Sequence, residues 1–93
     1  MAEEKKISIK FPDHLKEGAY ANSLGVLFTH EEFVLDFIMA APPAGTVSAR
    51  VITTPGHAKR FAAMLNDQIA RYERTHGAIK TAVEPRSSNA FDA

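Results

Sequence analysis

Asp36 and Arg50 are the two residues most open to a chemical role, because no other charged residue lies within the predicted strands between Tyr20 and Thr53. A carboxylate beside a guanidinium could serve as an acid with an electrophilic partner. The same two charges on neighbouring strands also fix strand register as a cross-strand pair. We favour the second interpretation and expect a structural ion pair.

A second group of polar residues, His57, Lys59 and Arg60, falls at the predicted start of a helix. Basic side chains at a helix N-terminus can bind an anion or a phosphate. No glycine-rich phosphate loop precedes them, however, and short basic runs are commonly just solvated. We therefore consider two interpretations of these residues: an anion or partner site, or a basic run that is simply solvated.

The remaining residues give no pattern for catalysis or metal binding. The four histidines have no metal-ligand spacing, and the chain contains no cysteine. No serine lies in a nucleophile elbow, and no two carboxylates are arranged for acid–base work. We expect a protein that is not an enzyme, with no catalytic residue, no metal and no cofactor.

The helix that would carry the basic group is predicted from Pro55 to about His76. Thr54 can cap it through its hydroxyl, and Pro55 suits the first helical position. Gly77 supplies the residue that commonly ends a helix. Apolar residues recur every three or four positions along one side, which we name the α1 stripe: Ala58, Phe61, Ala62, Leu65, Ile69 and Tyr72.

Before this helix, alternation and turn residues predict strands at 6–11, 20–29, 33–41 and 47–53. The predicted fold is α+β: an antiparallel meander of three to four strands followed by one long amphipathic helix. We expect one domain over residues 5–79. The polar stretch 80–93 lacks periodicity and is expected to be a flexible tail.

Strand register follows from the turns. A two-residue turn at His30 and Glu31 would place Phe28 opposite Phe33 and Leu24 opposite Phe37. Pairing of Asp36 with Arg50 would set Leu35 opposite Val51, Phe37 opposite Ala49, and Met39 opposite Val47. One side of the sheet, the first face, is then apolar throughout, and we expect the helix to cover it.

The opposite side, the second face, has Asp36 and Arg50 surrounded by apolar residues. A small monomer seldom exposes such a patch, so we expect protein to cover it. The N-terminal strand or the tail could do so. We favour a second copy of the chain, because one helix and a small sheet make a thin core. The predicted oligomer face consists of Leu27, Val34, Ile38 and Ile52.

Composition restricts the setting. A net charge of zero argues against a domain held to nucleic acid by bulk electrostatics. The first residues, MAEEKK, lack the apolar core of a signal peptide, and no run is long enough to span a membrane. We expect a cytoplasmic protein without a membrane partner.

Several segments together resemble a known family. They are EGAYANSLGV with Tyr20 and Asn22, EEFVLDF with Phe33 and Asp36, and ARVITTPGHAKRFAAML with Arg50 and the Thr54–Pro55 step. This succession resembles the domain-of-unknown-function family 3467, over about residues 7–80. Gly56 departs from the family pattern, which would usually have a bulkier helix former there, and so does the short turn before Glu31. The resemblance implies the same strand-strand-strand-helix order, and it implies no activity.

Our leading hypothesis is a non-catalytic homo-oligomeric binding or adaptor protein. Its architecture also resembles that of export chaperones, which bind unfolded protein, at the level of fold alone. The alternative is a dimer that binds single-stranded nucleic acid, which the neutral charge disfavours. A small enzyme using Asp36, Arg50 or His57 is the third hypothesis.

Overall fold

A computed structural model describes residues 6–81 and the backbone of residues 91–92. A 3-10 turn at Asp13–Leu15 precedes three strands, β1 (Ser23–Phe28), β2 (Phe33–Ala41) and β3 (Ala44–Thr53). Helix α1 (Pro55–His76) follows, and β4 (Phe91–Asp92) is a short final strand. The sheet order is β3-β2-β1-β4. The α+β class and the order of three antiparallel strands before one long helix are confirmed.

The first hairpin has the predicted turn and register. The Thr29 N–H donates to the Glu32 carbonyl at 2.8 Å, and the Thr29 hydroxyl oxygen accepts from the N–H groups of Glu31 and Glu32. Phe28 lies opposite Phe33 as predicted, so the same sides of both strands are apolar. The polar turn at His30 and Glu31 is therefore sufficient to set this register.

The second hairpin follows the prediction only as far as Phe37. Asp36 lies opposite Arg50 as expected, but a β-bulge between Phe37 and Ile38 shifts the register. Ile38 pairs with Val47, so the predicted pairing of Met39 with Val47 is wrong. The extra residue is Ser48, whose hydroxyl donates to the Tyr20 carbonyl at 3.0 Å. A bulge places two residues opposite one, and Val47 thereby joins Ile38 on the second face.

The predicted N-terminal strand at 6–11 is wrong. These residues form no regular element, and Ile7 and Ile9 are exposed. A strand requires a neighbour for its backbone groups as well as alternating side chains. In the described sheet, β1 pairs with β2 on one side and with β4 on the other. The order of the described sheet is β3-β2-β1-β4, and residues 6–11 are not part of it despite their alternation.

Helix α1 begins and ends where predicted, but the expectation that it covers the first face is wrong. None of its residues is buried, and the α1 stripe is exposed from Phe61 to Tyr72. The radius of gyration is 16.3 Å, whereas a compact chain of this length would have about 12 Å. A single residue, Thr54, connects β3 to α1. In the part of the chain that the structure describes, α1 therefore does not pack on the sheet.

Burial within the described residues is correspondingly small. The only buried apolar side chain is that of Ile38, at 7% exposure.

The predicted flexible tail falls mostly on residues 82–90 and 93, which lie outside the described residues. Backbone pairing of Leu24 with Asp92 and of Gly25 with Phe91 forms β4, a strand that the sequence did not predict.

Candidate functional site

Asp36 and Arg50 form a two-pronged ion pair in the middle of the second face. Arg50 Nε donates to Asp36 Oδ1 at 2.7 Å, and Arg50 Nη2 donates to Asp36 Oδ2 at 2.9 Å. The Asp36 side chain is 13% exposed, whereas that of Arg50 is 57% exposed. Both carboxylate oxygens are therefore occupied, and the guanidinium still has a solvent-facing side.

This contact changes the acidity of both groups. The hydrogen bonds from Arg50 lower the pKa of the Asp36 carboxyl, an effect that desolvation opposes and the positive charge of Arg50 reinforces. The hydrogen bonds to Asp36 raise the pKa of Arg50 in turn. A proton donor at neutral pH would need the opposite shift of the Asp36 pKa. The geometry fits a fixed charge pair better than an acid catalyst.

The four residues of the predicted oligomer face share this side of the sheet. In cross-strand rows, Leu27 lies opposite Val34, and Val34 lies opposite Ile52. Ile38 lies on the other side of the ion pair, in a row with Val47. Leu27 and Ile52 are 55% and 56% exposed, although they are large and apolar. Coverage of this face by a second copy stays a prediction, since one chain is described.

His57, Lys59 and Arg60 lie in the first turns of α1, and all three are exposed. The three side chains do not share one side of the helix: His57 and Arg60, three residues apart, are neighbours on its surface, whereas Lys59 projects about 200° away from His57. The His57 ring instead stacks on Phe61, with centroids 6.3 Å apart.

The backbone at this helix start is also largely occupied. The Thr54 hydroxyl oxygen accepts from the His57 N–H at 3.1 Å, and the Thr54 carbonyl accepts from the Ala58 N–H at 2.9 Å. An anion bound at the helix N-terminus would need N–H groups that are free to donate to it, and these two already donate to Thr54. The anion site stays a prediction, and this geometry gives it little support.

The first face contains a groove of about 520 Å³ that the sequence did not predict. The 3-10 turn and the segment after it form one wall, and β2 and β3 form the floor. The alternation of apolar residues predicted that the floor is apolar. It did not predict an open groove, because the helix of the same chain was expected to cover this face. Its apolar lining includes Leu15, Ala19, Phe37, Ala49 and Val51.

The role of Asn22 was also not predicted from the spacing of residues in the sequence. Its side chain forms two hydrogen bonds with Ala40: Asn22 Nδ2 donates to the Ala40 carbonyl at 3.0 Å, and Asn22 Oδ1 accepts from the Ala40 N–H at 2.8 Å. The amide thus takes the place of a backbone partner beyond the start of β1. The predicted strand 20–29 included Asn22, and only the family resemblance singled this residue out.

Two further properties of the described residues concern metals and membranes. Within residues 6–81, no three His, Asp or Glu side chains come together as a metal-binding group. In the same part of the chain, α1 lacks the apolar character that crossing a bilayer would require.

Comparison with known proteins identifies the family. The chain belongs to the family described as protein of unknown function (DUF3467), whose model matches residues 1–81. The match covers β1, β2, β3 and α1, and with them the ion pair and the groove. No curated protein and no solved structure matches the chain.

Proposed function

We propose that this protein is a non-catalytic, homo-oligomeric protein-binding module of the cytoplasm, acting as an adaptor or in a chaperone-like way. One observation carries the proposal: among the described residues, a single apolar side chain is buried, while both sheet faces and the α1 stripe expose large apolar groups. Such surfaces on a small domain are typical of sites that contact protein.

The charges of the second face support assembly of two copies through it. Asp36 and Arg50 occupy the middle row, between an entirely apolar row and a row in which Ser23 accompanies the apolar Ile38 and Val47. A two-fold axis parallel to the strands and between β2 and β3 would bring Asp36 opposite the partner subunit's Arg50. Apolar rows would then meet apolar rows, and each charge would face its opposite. This is the self-complementarity that a two-fold interface requires.

The apolar side chains supply the driving force. Complete burial of an aliphatic side chain contributes roughly 1.5–3 kcal/mol, and Leu27 and Ile52 still expose more than half of their surface. Because a domain as small as residues 5–79 gains only about 3–5 kcal/mol from its own core, covering several such groups is a large contribution. The first face and the α1 stripe remain to bind apolar segments of protein, whether these belong to another copy of this chain or to a different protein.

The assembly is tested by analytical ultracentrifugation at micromolar concentration. We expect the unmodified chain to sediment as an oligomer and Leu27→Lys to sediment as a smaller species, because lysine would have to lose its hydration in the interface. Arg74→Glu, on the charged side of α1, is the matched control and should leave the sedimentation unchanged. A well-folded monomer for the unmodified chain would contradict the proposal.

The binding activity needs a separate measurement. A permanently unfolded probe can be made by reducing and carboxymethylating a disulfide-bonded globular protein and labelling it with a fluorophore. We expect the fluorescence anisotropy of this probe to rise on titration with the oligomer, and to stay constant with an equally sized folded protein that has no exposed apolar face. Equal responses, or none, would contradict a protein-binding role.

A further inference from the structure

We propose that α1 packs into the first-face groove of a second copy, whose α1 packs into the groove of the first. This inference rests on the proposed function, because it names the protein segment that the groove binds: an amphipathic helix with the α1 stripe. The resulting exchange gives each copy the helix layer that its own chain does not provide.

One chain contains both surfaces of this contact, and within residues 6–81 neither surface is covered. Leu65 in the stripe is 63% exposed, and Phe61 and Tyr72 are about half exposed. On the sheet, Phe37 and Val51 border the groove and retain roughly two-fifths of their surface in solvent. A helix with one apolar stripe and a sheet with one apolar face stabilise each other when they pack.

The connection between β3 and α1 favours a neighbouring copy over the same chain. Thr54 is the only residue between the two elements, and its extended backbone, with φ −86° and ψ 160°, continues the strand up to the cap. A short connection of this kind favours exchange of an element between identical chains over folding back. The uncovered stripe of α1 is consistent with this.

The size of the contact is sufficient for a stable dimer. The 22 residues of α1 make a rod about 33 Å long and about 10 Å wide. Two such helices, each lying on a sheet, would remove about 1,300 Å² of surface from water in total, within the range of stable interfaces. The groove of 520 Å³ receives side chains of the stripe.

The charged side of α1 determines which side faces the sheet. Arg60, Asp67, Arg71 and Arg74 lie opposite the stripe, and Arg71 Nε pairs with Asp67 Oδ2 at 3.4 Å along the helix. These groups would lose hydration if that side were buried. The stripe itself contains no charged residue, so only one orientation of α1 buries apolar surface without burying charge.

Because the chain contains no cysteine, disulfide trapping between two singly substituted proteins tests the exchange directly. Val51→Cys is made with an affinity tag and Leu65→Cys without one. The two proteins are mixed in urea, refolded together and oxidised. A disulfide joining these two variants can only connect different chains, and mass spectrometry of the linked peptides identifies it. The matched control replaces Leu65→Cys by Arg74→Cys, on the charged side of the same helix.

We expect the peptide containing position 51 to be linked to the peptide containing position 65 in the mixed sample, with at least tenfold less product for the Arg74→Cys control. A chain carrying both Val51→Cys and Leu65→Cys should form linked dimers on a non-reducing gel. Oligomers that give no 51–65 link, or a doubly substituted chain that links only within itself, would overturn the exchange and leave the proposed oligomer intact. A monomer by sedimentation would overturn both.

Discussion

Arg50 binds both carboxylate oxygens of Asp36 across β2 and β3, and the strand on the other side offers only Gly25 opposite Asp36. The position of β1 directly beside the pair therefore has no side chain. Among the described residues, the pair is the one ion pair of the sheet, on a face whose large side chains are otherwise apolar.

The pH dependence of stability follows from this contact. Because the folded pKa of Asp36 is lowered, the pair contributes stability above the unfolded carboxyl pKa of about 4, and this contribution is lost as the pH falls through the folded pKa. We expect Asp36→Asn to lower the urea midpoint at pH 7 and to differ less from the parent near pH 2.5. Asp67→Asn, in an exposed helical pair, is the control and should change stability by no more than about 0.5 kcal/mol. Equal midpoints for parent and Asp36→Asn at pH 7 would refute this assignment.

The helix cap at Thr54 should matter through its hydroxyl. Thr54→Ala removes the acceptor of the His57 N–H and should lower the free energy of unfolding by about 1 kcal/mol. Thr54→Ser keeps the oxygen and should retain most of the stability. Urea unfolding at fixed protein concentration measures both variants. If they lose the same amount, the methyl group of Thr54 and not its oxygen is responsible.

Replacement of Asn22 by aspartate, its closest analogue in shape, should lower the stability of the fold. Asn22→Asp keeps the acceptor for the Ala40 N–H but places a second acceptor against the Ala40 carbonyl, which now has no donor. We expect a loss of about 1–2 kcal/mol and faster hydrogen exchange of the Ala40 amide. Ser23→Ala loses only a 3.3 Å contact with Asn22 and serves as control. Unchanged exchange at Ala40 in Asn22→Asp would show that the amide pair is dispensable.

Removal of the residues after Lys80 should leave the fold intact. The segment that follows α1 is already held to it, since the Ile79 N–H donates to Glu73 Oε2 at 2.9 Å. The truncation removes β4, which pairs with β1 at only two positions. We expect the same far-ultraviolet circular dichroism and a free energy of unfolding within about 1 kcal/mol of the full chain. A larger loss would show that β4 is needed to protect the edge of β1.

The sequence was sufficient for the fold where side-chain pattern and turn residues agreed. Phe28 opposite Phe33 follows from the polar turn at His30 and Glu31, and Asp36 opposite Arg50 follows from their opposite charges on neighbouring strands. The bulge at Ser48 was missed, because alternation on either side of an extra residue looks regular until the pairing is known. The strand predicted from Lys6 to Phe11 was wrong for the opposite reason. Its side-chain pattern was regular, but its backbone has no strand beside it in the described sheet.

For the candidate site, the ion pair and its apolar neighbours were predicted, and the groove on the first face was not. The ion pair and its apolar neighbours, such as Leu27 and Ile52, were assigned to one face from alternation alone. The groove near Phe37 was not predicted, because amphipathicity states that a surface will be covered and does not state by which chain. Sequence alone could not show that α1 does not fold back onto the described sheet of its own chain.

The burial of Ile38 alone among the apolar residues described here has a consequence for the amount of this protein in a cell. In the assembly we propose, most of the core forms only when copies meet, so dilution lowers stability as a denaturant would. At concentrations below the dissociation constant, the chain would expose its apolar surfaces to proteases and chaperones. Expression level would then set the folded fraction directly, and copies without a partner would be removed by degradation.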